Sequence, residues 1–390
     1  MTAMPPRLAR ITLAIACCCC YQAHAAAPVP DLRAVVDATI VPLMAEHGIP
    51  GMSIAVTVDG KSTSFQYGLA SKQEQIQVTA DTLFELGSTS KTLAATLASY
   101  AQAQGKLRYD DHPSKYMPQL KGSAIDQATL LHLGTYTAGG LPQQFPDALT
   151  DGDADSYFQR WKADAAPGVQ RRYSNPSLGL FGHLAALALH SSYADAMEQQ
   201  LLPQLGMHST HIRIPAARMK HYAWGHDSAN KPVRMRPEPM YGPNYGLVST
   251  ADDMLRLVQA NLAPRHLAAP LRGAVEGTQR GYFKVGQMMQ GLGWEQYSYP
   301  VALEDLSFGN SPAVSAEPRA AQPIAVPRIP TEPTLFNKTG GTRGFSSYVA
   351  FVPQRQLGIV MLANKSYPGA ARIRAAHAIL TALQQTSSTK

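Results

Sequence analysis

The clearest strand-like segments of this 390-residue chain lie near its two ends, and that separation limits the fold more than any other feature. Residues 52–58 and 62–67 flank Asp59-Gly60, the pattern of a β-hairpin closed by a two-residue turn. Residues 344–351 and 357–362 read as a second pair of strands, followed by a helical stretch over 370–385. Residues 109–257 read mainly as helices and loops, and 32–43 has the three-to-four apolar spacing of a helix. Two hairpins so far apart share a sheet only if the chain leaves that domain and returns to it. The expected fold is therefore α+β with two domains. An antiparallel sheet flanked by helices comes from residues 26–86 and 286–390, and a mainly helical domain from 87–285. The cleft between two such domains is a common place for a binding site.

Residues 1–25 stand apart. Arg7 and Arg10 lead into a short apolar run over 11–20, and Ala23-His24-Ala25 has the small-x-small form of a signal-peptidase site. The run is too short to span a bilayer. All four cysteines, Cys17 to Cys20, fall inside it. A lipoprotein signal would lipidate Cys17, but Ala14 stands where such signals carry leucine, so ordinary cleavage after Ala25 is expected. Removing 25 residues leaves a periplasmic chain of 365 with no cysteine and hence no disulfide. Removing two arginines lowers the formal charge from +7 to +5. The basic residues are dispersed, with no run and no aromatic interleaving, which argues against a nucleic-acid partner. The histidines His208, His211, His221 and His226 are too sparse for a metal set. The expectation is a monomer with no cofactor, no metal and no stable membrane association.

The chemistry concentrates at Phe84-Glu85-Leu86-Gly87-Ser88-Thr89-Ser90-Lys91. Leu93, Leu97, Tyr100 and Ala101 follow at helical spacing, and Gly105 marks a stop. Gly87 permits a sharp turn, so Ser88 falls in the first helical turn, where free N–H groups and the helix dipole favour negative charge. Lys91, three residues on, shares its face. A serine with an amine beside it is a plausible activated nucleophile. Ser-x-x-Lys alone says little, because it also occurs at Ser228–Lys231 and Ser387–Lys390. Only Ser88 is followed at domain-scale distances by Tyr173-Ser174-Asn175 and then by Lys338-Thr339-Gly340, each the single instance of its motif.

Ser-x-x-Lys, Tyr-x-Asn and Lys-Thr-Gly in that order are the signature of penicillin-recognising serine enzymes. Residues 84–91, 131–147, 173–182 and 337–372 together resemble class C β-lactamases of the AmpC type, across essentially the whole mature chain. The resemblance implies a serine β-lactamase/D,D-peptidase-like fold and hydrolysis of the β-lactam amide of cephalosporins and penicillins through an acyl-enzyme on Ser88. It makes Tyr173 the proton shuttle, Lys91 the residue that orients Ser88 and Tyr173, and Lys338 the anchor for the Tyr173 oxygen and the substrate carboxylate. Cations near Tyr173 would favour its phenolate. The backbone amides of Ser88 and Gly341 would form the oxyanion hole, and the Thr339–Gly341 strand would pair with the substrate amide. Gln144 and Asn175 would hold the acyl-amide carbonyl, and Arg372 the carboxylate side. The proline-rich stretch 311–333, with six prolines, reads as a surface loop bordering the cleft.

Other classes fit less well. Tyr173-Ser174-Asn175 stands where class A enzymes have Ser-Asp-Asn, and the Glu198 region lacks the asparagine that would end a deacylation loop. There is no His-x-His-x-Asp and no Gly-x-Ser-x-Gly, which disfavours a zinc β-lactamase and an α/β-hydrolase. A D,D-peptidase or carboxylesterase shares all three motifs and remains the alternative enzyme. A sensor that acylates once is the alternative outside catalysis. The chain also departs from the family it resembles: Asn337 stands where that family usually has histidine, Ser366 and Gly369 where it often has two asparagines, and 234–249 diverges while keeping Tyr245-Gly246. These departures bear on substrate preference more than on the core chemistry.

Overall fold

The computed structural model describes residues 1–2, 31–147 and 149–387. The expected signal segment lies almost entirely outside these. Among the described residues, ten strands form one antiparallel sheet: β1 (Gly51–Val58), β2 (Lys61–Ser71), β3 (Ile76–Gln77), β4 (Phe283–Val285), β5 (Met288–Gln290), β6 (Glu295–Ser298), β7 (Gln322–Pro323), β8 (Thr334–Gly341), β9 (Ser346–Val352) and β10 (Leu357–Ala363). Their order across the sheet is β7-β4-β5-β6-β8-β9-β10-β1-β2-β3. β10 pairs with β1 in the register Met52 to Ala363 through Val58 to Leu357, so segments from near the two ends of the chain meet inside the sheet. The β1–β2 turn has Asp59 at φ 49° and Gly60 at φ 77°, the two left-handed residues that a tight hairpin twisting with its strands requires.

β1, β9 and β10 read as nearly unbroken apolar runs because both faces of the sheet are covered. Met52, Ile54 and Val56 on one face, with Ile359 and Met361 from β10, pack against helices α1 (Leu32–His47) and α5 (Gly369–Ser387). Val36, Ile40, Ile373 and Ile379 supply the helical side of that layer, all but inaccessible to solvent. The alternate positions, Ala55, Val360 and Leu362, join Leu93 and Leu97 of α2 (Ser90–Ala103) and Met254, Leu257 and Val258 of α4 (Ala251–Leu262). Each such aliphatic side chain contributes about 1.5–3 kcal/mol by leaving water. Helix α3 (Asn175–Ala188) packs on α2 beyond the sheet.

The helix expected over 32–43 runs on to His47 through Pro42, and Gly48 at φ 56° closes it. The stretch 311–333 is not the plain loop its prolines suggest. Pro312 opens a short helix, Pro312–Ala316, capped by the Ser311 hydroxyl, where its missing N–H costs nothing. Arg319–Ala320 pairs with Gln170–Arg171, and β7 forms the sheet's outer edge, where a proline is tolerated.

Candidate active site

Ser88 lies where the helical layer meets β8. Phe84–Glu85 is a short strand paired with Val248–Ser249, and Gly87–Thr89 is a single 3-10 turn feeding α2. Gly87 has φ 54°, and a Cβ on it would lie 2.4 Å from the Gly341 nitrogen. A Cβ on Gly340 would lie 2.1 Å from the Leu86 carbonyl. Turn and strand approach this closely only because both residues are glycine. Ser347 of β9 fastens the joint: its hydroxyl donates to the Leu86 carbonyl at 2.6 Å and accepts from the Thr89 hydroxyl at 2.7 Å. Ser88 itself is half-exposed among buried neighbours.

Lys91 is wholly buried one turn along α2. Its Nζ donates to Ser88 Oγ at 3.1 Å and to the Asn244 carbonyl at 2.7 Å. Burial pushes the Lys91 pKa down, Tyr173 opposes that by charge and hydrogen bonding, and Lys338 adds to the lowering. The Asn244 carbonyl carries no local sequence signal, which is why sequence reasoning missed it.

Tyr173 follows the short strand Gln170–Arg171 and precedes α3, whose first turn is capped by the Ser174 hydroxyl accepting from the Ser177 amide at 3.0 Å. The ammonium groups of Lys91 and Lys338 lie 5.2 and 5.1 Å from its ring centroid. Burial would raise its phenol pKa, but the charges of Lys91 and Lys338 outweigh that and bring it below the ordinary tyrosine value. Its hydroxyl faces Ser88 and Lys91 without a well-formed hydrogen bond among the described residues, a looseness common before substrate arrives.

Two charged residues absent from the motifs complete the cluster. Glu295 Oε1 stands 3.7 Å from Lys338 Nζ and 3.3 Å from the Arg171 guanidinium. Arg171 also donates to Gln290 Oε1 at 2.8 Å and to the Val314 carbonyl at 3.3 Å, and lies 5.9 Å from the Tyr173 ring centroid. Three cations and one carboxylate therefore surround Tyr173, an excess that favours an anion there. Arg171 could have been found from its place two residues before Tyr173, on the same side of an extended stretch. Glu295, a single acid in β6, could not.

The expected substrate-side residues are in two groups. Asn175 Nδ2 donates to Gln144 Oε1 at 2.5 Å, and the Asn175 amide donates to the Gln143 carbonyl at 2.9 Å. Thr339 is half-buried on β8 opposite Tyr348, its carbonyl accepting from Lys338 Nζ at 3.2 Å. Gly341 is exposed at the strand end. Arg372 reaches the back of β8, where it donates to the carbonyls of Gly340, Ser347 (3.2 Å) and Tyr367 (2.9 Å). Three carbonyls thus claim its guanidinium, and burial lowers its pKa. Asn337 donates to the Glu295 carbonyl at 3.1 Å. Ser228 and Lys231 are both exposed, on the turn between Gly225–His226 and Pro232–Val233. Among the described residues no group of three or more histidines, cysteines or acids could hold a metal ion.

Comparison with known proteins bears directly on this arrangement. The family model described as Beta-lactamase matches residues 36–384. A β-lactamase of Pseudomonas fluorescens is 49% identical over 356 residues, 91% of this chain and 99% of that protein. One of Lysobacter lactamgenus is 44% identical, covering 90% of this chain and 92% of its own. A solved class C β-lactamase in complex with cefoxitin superposes with a TM-score of 0.87 at 46% identity, over 90% of this chain and 98% of that one. The structure described as D-alanine carboxypeptidase AmpC from Burkholderia cenocepacia gives 0.86 at 48% identity, over 90% and 99%.

Proposed function

The chain belongs to the β-lactamase family, a serine hydrolase of the class C kind that hydrolyses β-lactams, and on that premise we propose how its residues divide the work. Ser88 Oγ attacks the lactam carbonyl carbon while Tyr173, as phenolate, takes its proton. Negative charge developing on the carbonyl oxygen is held by the Ser88 and Gly341 amides. Tyr173 returns the proton to the ring nitrogen as the C–N bond breaks, leaving the acyl group on Ser88. Water then enters, gives its proton to Tyr173, and attacks the ester, and the proton passes back to Ser88 as the acid leaves. Lys91 holds Ser88 and is itself held by Asn244. Lys338 draws in the substrate carboxylate while Glu295 and Arg171 keep its position. Gln144, Asn175 and Thr339 face the acyl amide, and Arg372 steadies β8 from behind.

The observation that carries this reading is the convergence of Ser88 Oγ, the buried Lys91 ammonium and a tyrosine flanked by two lysines. A buried phenol with lowered pKa beside a serine has the form of a general base poised for its task. We further propose export to the periplasm after cleavage at Ala25, action as a monomer without cofactor, and the division of the fold into 26–86 with 286–390 and 87–285. No helix among the described residues is long and apolar enough to cross a membrane.

Steady-state turnover of a chromogenic cephalosporin by purified protein tests the reading, with Ser88→Ala as control. Sustained turnover by the wild type and loss of the acyl adduct by intact mass in Ser88→Ala are the expected results. An adduct persisting in Ser88→Ala would move the nucleophile elsewhere. A burst followed by arrest would favour a D,D-peptidase or a sensor that acylates once, and activity only on simple esters a carboxylesterase.

A further inference from the structure

One buried carboxylate near the nucleophile plays no part in the proton transfers. Glu85, three residues before Ser88, is 1% exposed. Its Oε1 accepts from the Tyr222 hydroxyl at 2.6 Å and the Met235 amide at 2.7 Å, and its Oε2 accepts from the Thr342 hydroxyl at 2.5 Å. Its backbone is paired with Val248, and the next amide, Leu86, donates to the Leu247 carbonyl at 2.9 Å. Segment 235–248 therefore begins on the Glu85 side chain and ends on the Glu85 backbone. Within that segment the Asn244 carbonyl holds Lys91, and Tyr245 is left half-exposed beside it, so the segment walls the cleft next to Ser88. Thr342 is the residue after Gly341, on the opposite side. Arg234, just before the segment, is sandwiched between the Tyr222 and Trp224 rings at 4.1 and 4.2 Å and donates to the Ala223 carbonyl at 3.2 Å.

An apolar side chain would fill this space at less expense than a carboxylate, which is costly to bury even when hydrogen-bonded. Burial raises the Glu85 pKa in spite of its three donors and the Arg234 charge. What the carboxylate alone provides is acceptance from three donors on three separate segments. We infer that Glu85 is a positioning residue that sets the gap between the 235–248 wall and the end of β8, and thereby the size of acyl side chain the cleft admits. The inference rests on the reading of Ser88 and Lys91 given above.

Glu85→Gln keeps the volume and one double acceptor, but its N–H₂ group must donate to the Thr342 hydroxyl, which reverses that bond and leaves the hydroxyl proton and the second N–H to find new acceptors. Tyr222→Phe keeps the ring and removes one donor. The test uses the purified full-length protein and two cephalosporins with one nucleus and one leaving group, differing only in a small or a bulky branched acyl side chain. Glu85→Gln should shift the bulky-to-small ratio of kcat/KM by about tenfold or more, the scale of a lost specificity contact, chiefly through KM. Tyr222→Phe should shift it in the same direction by less, and the double variant by less than the product. Equal losses on both substrates, or an unmoved ratio with a lower Tm, would overturn the inference. Should Glu85→Gln fail to fold, the ratio in Tyr222→Phe decides alone. Failure of the wild type to turn over either substrate would instead defeat the reading of the site, a result distinct from an unmoved ratio.

Discussion

Replacing Tyr173 with phenylalanine removes one oxygen from the centre of the cluster and leaves its packing in place. The ring lies 4.9 Å from that of Tyr136 and keeps that contact. The lost hydroxyl has no well-formed protein hydrogen bond among the described residues, so no partner is orphaned. Removing a buried hydroxyl without a well-formed partner relieves about 1–3 kcal/mol, but the two ammonium groups lose an anionic neighbour, so stability is expected to change little. Catalysis should respond differently. With the ammonium groups about 5 Å from the ring centroid, each favours a phenolate by about 3 kcal/mol at an effective dielectric near 20. Phenylalanine cannot use that field. General acid–base catalysis contributes about 10² to 10⁴ in rate, or about 3–5 kcal/mol of barrier. Acylation, followed as the single-turnover burst, and deacylation, followed as steady-state kcat, should both slow by that range. The pH dependence gives an independent check. The active form is deprotonated, so kcat/KM of the wild type should rise with pH through the lowered phenol pKa and fall once a lysine loses its proton. These limbs belong to the coupled set of groups, and the rising one should vanish in Tyr173→Phe. Near-normal turnover together with a lower Tm would refute the reasoning, return Tyr173 to a structural role and leave Lys91 as the base.

Gly87→Ala places a Cβ 2.4 Å from the Gly341 nitrogen at a left-handed backbone position. Turn and strand must separate, and kcat/KM should fall by about 10²-fold or more from misplacement alone, while near-UV circular dichroism still reports a folded protein. Glu295→Ala leaves Arg171 and Lys338 buried without their carboxylate, which should cost about 3–5 kcal/mol in urea unfolding; a loss below about 1 kcal/mol would mean that the pair is not electrostatically coupled. Intact mass of the exported protein should match residues 26–390, and a lipid adduct on Cys17 would contradict cleavage after Ala25.

Much of the architecture was legible because the central strands are long. β1, β2, β9 and β10 carry uninterrupted apolar or alternating runs, and Asp59-Gly60 has turn chemistry that allows little else. β4, β5 and β6 were not legible: three or four residues with Lys284, Gln290 and Glu295 among them give no period to count. β6 takes its strand character from pairing with β8, some way along the chain, and β5 and β4 follow by pairing with β6 and with each other. The prolines of 311–333 suggest a loop, whereas Pro312 begins a helix and Pro323 sits on a sheet edge. At the site, Ser88, Lys91, Tyr173 and Lys338 were found because each belongs to a short pattern whose order is informative, and the structure gathers all four. Glu85 and Glu295 answer charges and donors brought to them by the fold, so no local pattern marks them. Asn244 acts through a carbonyl, which every residue possesses.

The position of β10 between β9 and β1 has a consequence for incomplete chains. A polypeptide still growing on a ribosome holds β1 and β2 from early on, yet the strand that joins them to the Lys338 side of the sheet is among the last parts made. Contacts of such long range delay closure until nearly the whole chain is free. A reading frame cut short anywhere upstream of residue 357 leaves residues 51–58 as an open apolar edge, the kind that recruits other chains. Such fragments are expected to aggregate or be degraded, not to persist as smaller enzymes.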